Sequence, residues 1–306
     1  MTNNRFPNCP YPRINVIFRA GERVWARRQG VDRAFPVIDT PAFWYWLMWY
    51  GPWLFPEVQR NLYAFPLDAL RARVIGEHAT LKDFNQSGLV DWRRIEGLLR
   101  EAGFNFTAGE RVLDFGCGCG RILRHFAYYA GRSQFTGVDV DGEAVAWADL
   151  HFDFAHAQKV PLMPPLPYPN DHFGAIYAFS VFSHLPESAA QAWLAELRRI
   201  LRPGGFALLT VQGEHVMNCL KEGRVDLGAP TPTQLQRDED KIHPQGFAFY
   251  PYGDLAAHAN IPLDGAHYGN AITLPHYIKA RWTEHFHLRA IHPAPDAWQD
   301  YILLQG

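Results

Sequence analysis

The chain has 306 residues, 48% hydrophobic and 14% aromatic, which is enough apolar mass for one catalytic domain with an appended segment. Its 29 Lys and Arg stand against 31 Asp and Glu, a formal charge of -2 that argues against a basic nucleic-acid surface. Of four cysteines, Cys117 and Cys119 sit two apart while Cys9 and Cys219 stand alone, which excludes a secreted disulfide framework and makes a cytoplasmic location the expectation.

The first twenty residues include Arg5, Arg13, Arg19 and several prolines, with no apolar run of signal-peptide length. Phe43 to Phe55 is dense in aromatics, but Gly51-Pro52 interrupts it well short of the roughly twenty apolar residues that a membrane span needs. It is expected to be a core helix docking the N-terminal segment, a lid, or an interfacial helix, with Trp46, Trp49, Tyr50 and Trp53 as lid or substrate contacts. Leu70 to Gly76 carries Arg71 and Arg73, which suit either solvated surface charge or a ligand carboxylate. Trp92, Ile95, Leu98 and Leu99 have helical spacing, so 91–100 is expected to be the helix leading into the first strand.

That strand, Val112-Leu113-Asp114-Phe115, runs into Gly116-Cys117-Gly118-Cys119-Gly120-Arg121. Alternating glycines at a strand-to-helix turn let a ligand approach backbone and tolerate positive φ. A dinucleotide fingerprint requires a further glycine where Arg121 stands, and no Gly-Lys-Ser or Gly-Lys-Thr follows to make a P-loop. Asp114, just before the glycines, suits a ligand with positive charge. A helix is expected over 122–130, then a second buried strand, Gln134 to Asp141. Its Asp139 lies roughly twenty residues past the loop, where an acid accepts hydrogen bonds from both ribose hydroxyls. The plainer role for Asp139 is a cap on the next helix.

Five blocks in order resemble the class I S-adenosylmethionine (SAM)-dependent methyltransferases, from about Val112 to Val211. They are the glycine loop with Asp139, Leu166 to Phe173 as the approach to the fourth strand, Ala175 to Leu185 as that strand and its turn, Trp193 to Gly205 as helix and turn, and Phe206 to Val211 as the fifth strand. Two positions depart from the family pattern. Gly174 stands where many relatives carry an acid, and the third strand, placed at 152–157, ends in His156-Ala157 rather than in a polar adenine contact.

The resemblance implies an α/β fold, a Rossmann-like, doubly wound, seven-stranded sheet whose last strand is antiparallel. An aromatic-rich helical segment is appended at 1–90, and the SAM domain spans 91–306 with an insertion at 212–246. The polar insertion is expected to be an acceptor-binding cover or a surface loop. Beyond it, 274–286 is expected to be a helix, with strands at 287–292 and 298–304. SAM is the implied cofactor, held by Asp114, Gly116, Cys117, Gly118, Gly120, Asp139, Val140 and Ser180. Ser180, His184 and Tyr177 are the candidate catalytic residues, while a structural role in the turn also suits His184. His243 in the insertion is a further candidate base.

Among fourteen histidines, including His267, His276, His285 and His287, no spacing matches a metal site, and no metal is expected. The expected activity is methyl transfer from SAM to a small-molecule acceptor. Two alternatives keep the same cofactor. One is cyclisation of SAM to azetidine-2-carboxylate and methylthioadenosine; the other is non-catalytic SAM binding toward a protein partner.

Overall fold

A computed structural model describes residues 14, 16–22, 40–60, 62–253, 268–293 and 298–306, apart from the Glu57 side chain. Arg5, Cys9, Arg13 and His267 lie outside the described residues. The described strands are β1 (Arg111–Phe115), β2 (Gln134–Asp139), β3 (Ala155–Lys159), β4 (Phe173–Ala178), β5 (Leu201–Val211), β6 (Phe247–Pro251), β7 (Gly269–Thr273), β8 (His287–His292) and β9 (Asp300–Gln305). Seven of them form one sheet in the order β3-β2-β1-β4-β5-β9-β8, and β6 pairs with β7 separately. β1, β4 and β5 are parallel, whereas β9 runs antiparallel to both β5 and β8. This is the doubly wound, Rossmann-like sheet with an antiparallel last strand that the sequence leads one to expect.

Contacts within the chain divide it into two compact units. One comprises 1–111, 117–137 and 142–158, and the other 112–116, 138–141 and 159–306. In the second unit β4 is buried along its whole length, as a central parallel strand covered on both faces must be. The Glu187–Ile200 helix buries Trp193, Leu194, Leu197 and Ile200 in a core shared with Leu113, Ile176 and Leu209. Trp193 meets Phe115 with ring centroids 4.7 Å apart.

Residues 212–246 are not an ordinary surface loop. They contain helices Glu214–Lys221 and Pro232–Gln245, the latter opened by a capping box in which the Thr231 and Gln234 side chains satisfy each other's backbone N–H groups. These helices bury Val216, Met217, Leu220, Leu235 and Ile242 with Ile272 of β7 in a small core of their own.

In the first unit the helix expected at 91–100 extends back to Leu81 and ends at Glu101, with its start set by a Thr80-Asp83 capping box. The run at 122–130 is a 3-10 helix, Leu123–Tyr129, every residue of which is buried. The third strand begins at Ala155 rather than Phe152. Phe152 and Phe154 instead turn inward, 5.5 and 5.4 Å from the Tyr63 ring.

Gly51-Pro52 does not end the aromatic helix, which runs from Pro41 to Leu54. Proline lacks the N–H that would bond to the carbonyl four residues back, here Met48. Asn85, 1% exposed, replaces it by donating Nδ2–H to Met48 O at 2.9 Å. Removing that donor in Asn85→Ala should cost about 1–3 kcal/mol, because a buried carbonyl is left unsatisfied. Pro52→Ala restores the backbone donor and should recover part of the loss, measured by denaturant unfolding of the single and double variants. Equal losses with and without Pro52→Ala would refute the replacement.

Candidate active site

Asp114 in β1, Asp139 at the end of β2 and Ser180 just past β4 all lie at carboxyl ends of strands of the seven-stranded sheet. Open α/β sheets bind their ligands at that edge. Asp114 is 3% exposed and lies in register with Tyr177 of β4.

Gly116, Gly118 and Gly120 adopt φ of +84°, +50° and +77°. Side chains rarely adopt such conformations, so glycine is needed here on conformational grounds. Two of the three also serve packing within the protein. A Cβ at Gly116 would overlap Val181, and one at Gly120 would overlap Phe152, whereas at Gly118 the nearest atom is Val74 Cγ2 at 3.3 Å. Cys117 and Cys119 are buried; Cys119 Sγ lies 3.7 Å from Leu70 O.

Asp139 is half-buried, and its Oδ1 accepts the Asp141 N–H at 2.9 Å, with Val140 inside that short turn. It therefore shapes the turn into the Gly142–His151 helix, the role a capping acid would have. It also faces Tyr268, whose hydroxyl burial, then Tyr252, then Asp139 push up in pKa.

Ser180 has φ +61°, uncommon for a residue with a side chain. Its N–H donates to Thr210 Oγ1 at 2.8 Å, and Gln299 Nε2 donates to its hydroxyl at 2.7 Å. His184 Nε2 stands 3.3 Å from Ser180 Oγ, and His184 Nδ1 donates to Gly269 O at 2.8 Å. The His184 ring stacks on Tyr268 at 4.9 Å, and enclosure lowers its pKa below 6.5. Tyr177 is fully buried within β4.

Other candidates are placed elsewhere. Arg71 bonds to Asp68 at 2.8 Å and Pro66 O at 3.3 Å, and Arg73 pairs with Glu143 at 2.7 Å. On the aromatic helix, Trp46, Trp49 and Trp53 are partly buried and Tyr50 is 44% exposed. Trp46 stacks on Phe43, Trp49 on Tyr45 and Trp53 on Phe65. His243 lies 3.5 Å from Glu239 on the outer helix of the 212–246 region. Among the described residues no group of three metal-ligating side chains converges, and no helix is long and apolar enough to cross a membrane.

Thr210, Gln299, Tyr252 and Tyr268 were not indicated by any sequence motif. Thr210 lies within the β5–β9 pairing, opposite Tyr301, and Gln299 directly precedes Asp300, the residue that faces Val211. Because β9 runs antiparallel, its first residues arrive at the same edge as the carboxyl ends of β4 and β5.

A family model described as a methyltransferase domain matches residues 112–205. The chain is 25% identical over 222 residues to the 27-O-demethylrifamycin SV methyltransferase of Amycolatopsis mediterranei, covering 68% of this chain and 70% of that one. It is 28% identical over 135 residues to a ubiquinone biosynthesis O-methyltransferase of a Bradyrhizobium species, covering 39% of this chain and 51% of the relative. A sterol 24-C-methyltransferase of Gibberella zeae is matched over only 26% of its length. In fold, the chain is similar to the PH0226 protein of Pyrococcus horikoshii, at 14% identity and TM-score 0.54, covering 77% of this chain and 97% of that one. Over residues 112–205 the chain carries a methyltransferase domain similar to those of the class I SAM-dependent methyltransferases, and SAM is its cofactor.

The residues present fit that cofactor. A carboxylate before a left-handed glycine turn suits its positive charge, and a half-buried carboxylate at the end of β2 suits its ribose.

Proposed function

We propose that the chain transfers the SAM methyl group to a hydroxyl of a small-molecule acceptor. The observation that carries this reading is the neutral His184, its Nδ1 committed to a backbone carbonyl and its Nε2 directed at Ser180 beside the carboxyl end of β4. The O-methyltransferase names of two of the relatives support an oxygen acceptor.

In this reading Asp139 and the Asp114–Gly120 loop hold SAM, which supplies an already activated methyl group. The protein aligns the acceptor and takes up its proton. His184 Nε2 is the base, reached through or beside Ser180 Oγ. Buried Tyr177 shapes the floor of β4 without reaching the acceptor.

Product analysis tests the reaction class. With SAM alone the protein should form neither methylthioadenosine nor a cyclic amino acid, and a panel of phenols, alcohols and carboxylic acids should yield acceptor-dependent S-adenosylhomocysteine. Methylthioadenosine from SAM alone would establish cyclisation instead. Tight S-adenosylhomocysteine binding without turnover of any acceptor would point to a binding protein.

A further inference from the structure

We infer that Gln299 is a positioning residue for proton transfer: its side-chain amide holds Ser180 Oγ so that the serine hydroxyl directs its own hydrogen at His184 Nε2. The inference deepens the methyl-transfer reading and rests on it.

The hydrogen positions follow from the partners. Gly269 O has no hydrogen to give, so His184 Nδ1 at 2.8 Å must donate. Burial also holds its pKa below 6.5, so at neutral pH His184 is the Nδ1–H tautomer with a lone pair on Nε2. At the other end, Thr210 Oγ1 accepts the Ser180 N–H, and Thr210 is 1% exposed, so its hydroxyl hydrogen needs an acceptor. Gln299 Oε1 is that acceptor. This assignment of the amide, made from the network, turns Gln299 Nε2 toward Ser180 Oγ at 2.7 Å.

Ser180 Oγ thus accepts from Gln299 and has one hydrogen of its own to place. Its remaining partners are Ser183 Oγ at 3.4 Å, which can itself donate, and His184 Nε2 at 3.3 Å, which can only accept. The Ser180 hydrogen therefore goes to His184. The left-handed backbone at Ser180 belongs to the same construction, since it brings N–H and Oγ within reach of Thr210 and Gln299 together. Residues kept in that region need surroundings that over-determine them.

The proton step balances. The acceptor O–H breaks and its proton binds Ser180 Oγ, while the original Ser180 proton passes to His184 Nε2. The acceptor oxygen keeps the electron pair and becomes the nucleophile, and the imidazole becomes an imidazolium.

Among the described residues, the titratable groups around His184 are Tyr268 at 4.9 Å and Tyr252 at 6.2 Å, with Asp139 beyond Tyr268. Burial raises both tyrosines, Tyr252 to about 12, so neither ionises in the range where His184 titrates. Ser180, Ser183, Thr210 and Gln299 are uncharged.

The test compares Gln299→Glu and Gln299→Leu with the unaltered chain in three ways: nitrogen-15 NMR of the His184 ring in the unliganded protein, kcat and KM, and the pH profile of kcat. In Gln299→Glu a carboxylate captures the Ser180 hydrogen and stabilises the imidazolium. The acid limb of the profile and the His184 titration should both move to higher pH, with kcat down roughly ten- to a hundred-fold and KM for SAM unchanged. Gln299→Leu should lower kcat without moving the limb. An unmoved limb and an unmoved NMR titration in Gln299→Glu would overturn the inference, as would equal kcat in all three proteins. If the unaltered chain turns over no acceptor, the methyl-transfer reading fails. The NMR titration still decides separately whether Gln299 governs the Ser180–His184 bond.

Discussion

His184→Asn should lower kcat by roughly 10²- to 10⁴-fold, the range a positioned general base contributes. Asparagine cannot take up a proton at the place of Nε2, yet it occupies less space than the imidazole it replaces and leaves β4 undisturbed. S-adenosylhomocysteine binding by calorimetry should therefore stay near its original value. The pH dependence has a definite sign. Enclosure depresses the His184 pKa below 6.5, and the base is active only when neutral. Activity should rise as pH climbs through that depressed pKa and be level by neutral pH, with the limb absent from the residual activity of His184→Asn. The same depression couples to stability. Below 6.5 the unfolded chain binds a proton that the native ring resists, so the contribution is complete above 6.5 and is lost as pH falls toward the native pKa. Full turnover in His184→Asn across the pH range would leave the histidine a structural role, bonding the turn after β4 to Gly269.

The second large effect concerns Asp139, for which two variants separate two roles. Asp139→Asn keeps an oxygen that accepts the Asp141 N–H and so keeps the turn, but it loses the charge and one acceptor. Asp139→Ala loses the turn bond as well. If Asp139 accepts hydrogen bonds from the ribose hydroxyls, both variants should bind S-adenosylhomocysteine more weakly by about 2–3 kcal/mol, roughly 30- to 150-fold in Kd. Only Asp139→Ala should also lower the melting temperature. Unchanged affinity in Asp139→Asn would reduce Asp139 to a turn-forming residue.

Local signals in the chain carried the residues proposed for the cofactor half of the site. Glycines at 116, 118 and 120, an acid before them and another roughly twenty residues on are close in sequence, because one strand-turn-helix-strand passage holds them. The strands from β1 to β5 and the Glu187–Ile200 helix were legible because period and punctuation are written within each element, whereas the antiparallel end of the sheet followed only from the family resemblance. Where local signals conflicted with packing, packing prevailed. Proline at 52 argued for a helix end, but Asn85, 37 residues on from the Met48 carbonyl it satisfies, supplies the missing donor. Aromatic residues at 152 and 154 argued for strand, but they fill the space beside Tyr63.

What the sequence by itself determined is the strand-and-turn frame of a SAM domain and the residues of its first two turns, because each depends on neighbours a few positions apart. Tertiary structure alone decided that Gly116 and Gly120 are held by Val181 and Phe152. It also decided that residues 212–246 are helices with a core of their own, and that a hydrogen-bonded chain runs from His184 through Ser180 to Gln299. Gln299 lies 119 residues from Ser180, and only the reversed direction of β9 brings it to the carboxyl edge of the sheet. A strand's direction in a sheet is set by the connections and packing of the whole domain, so no local pattern could announce that meeting.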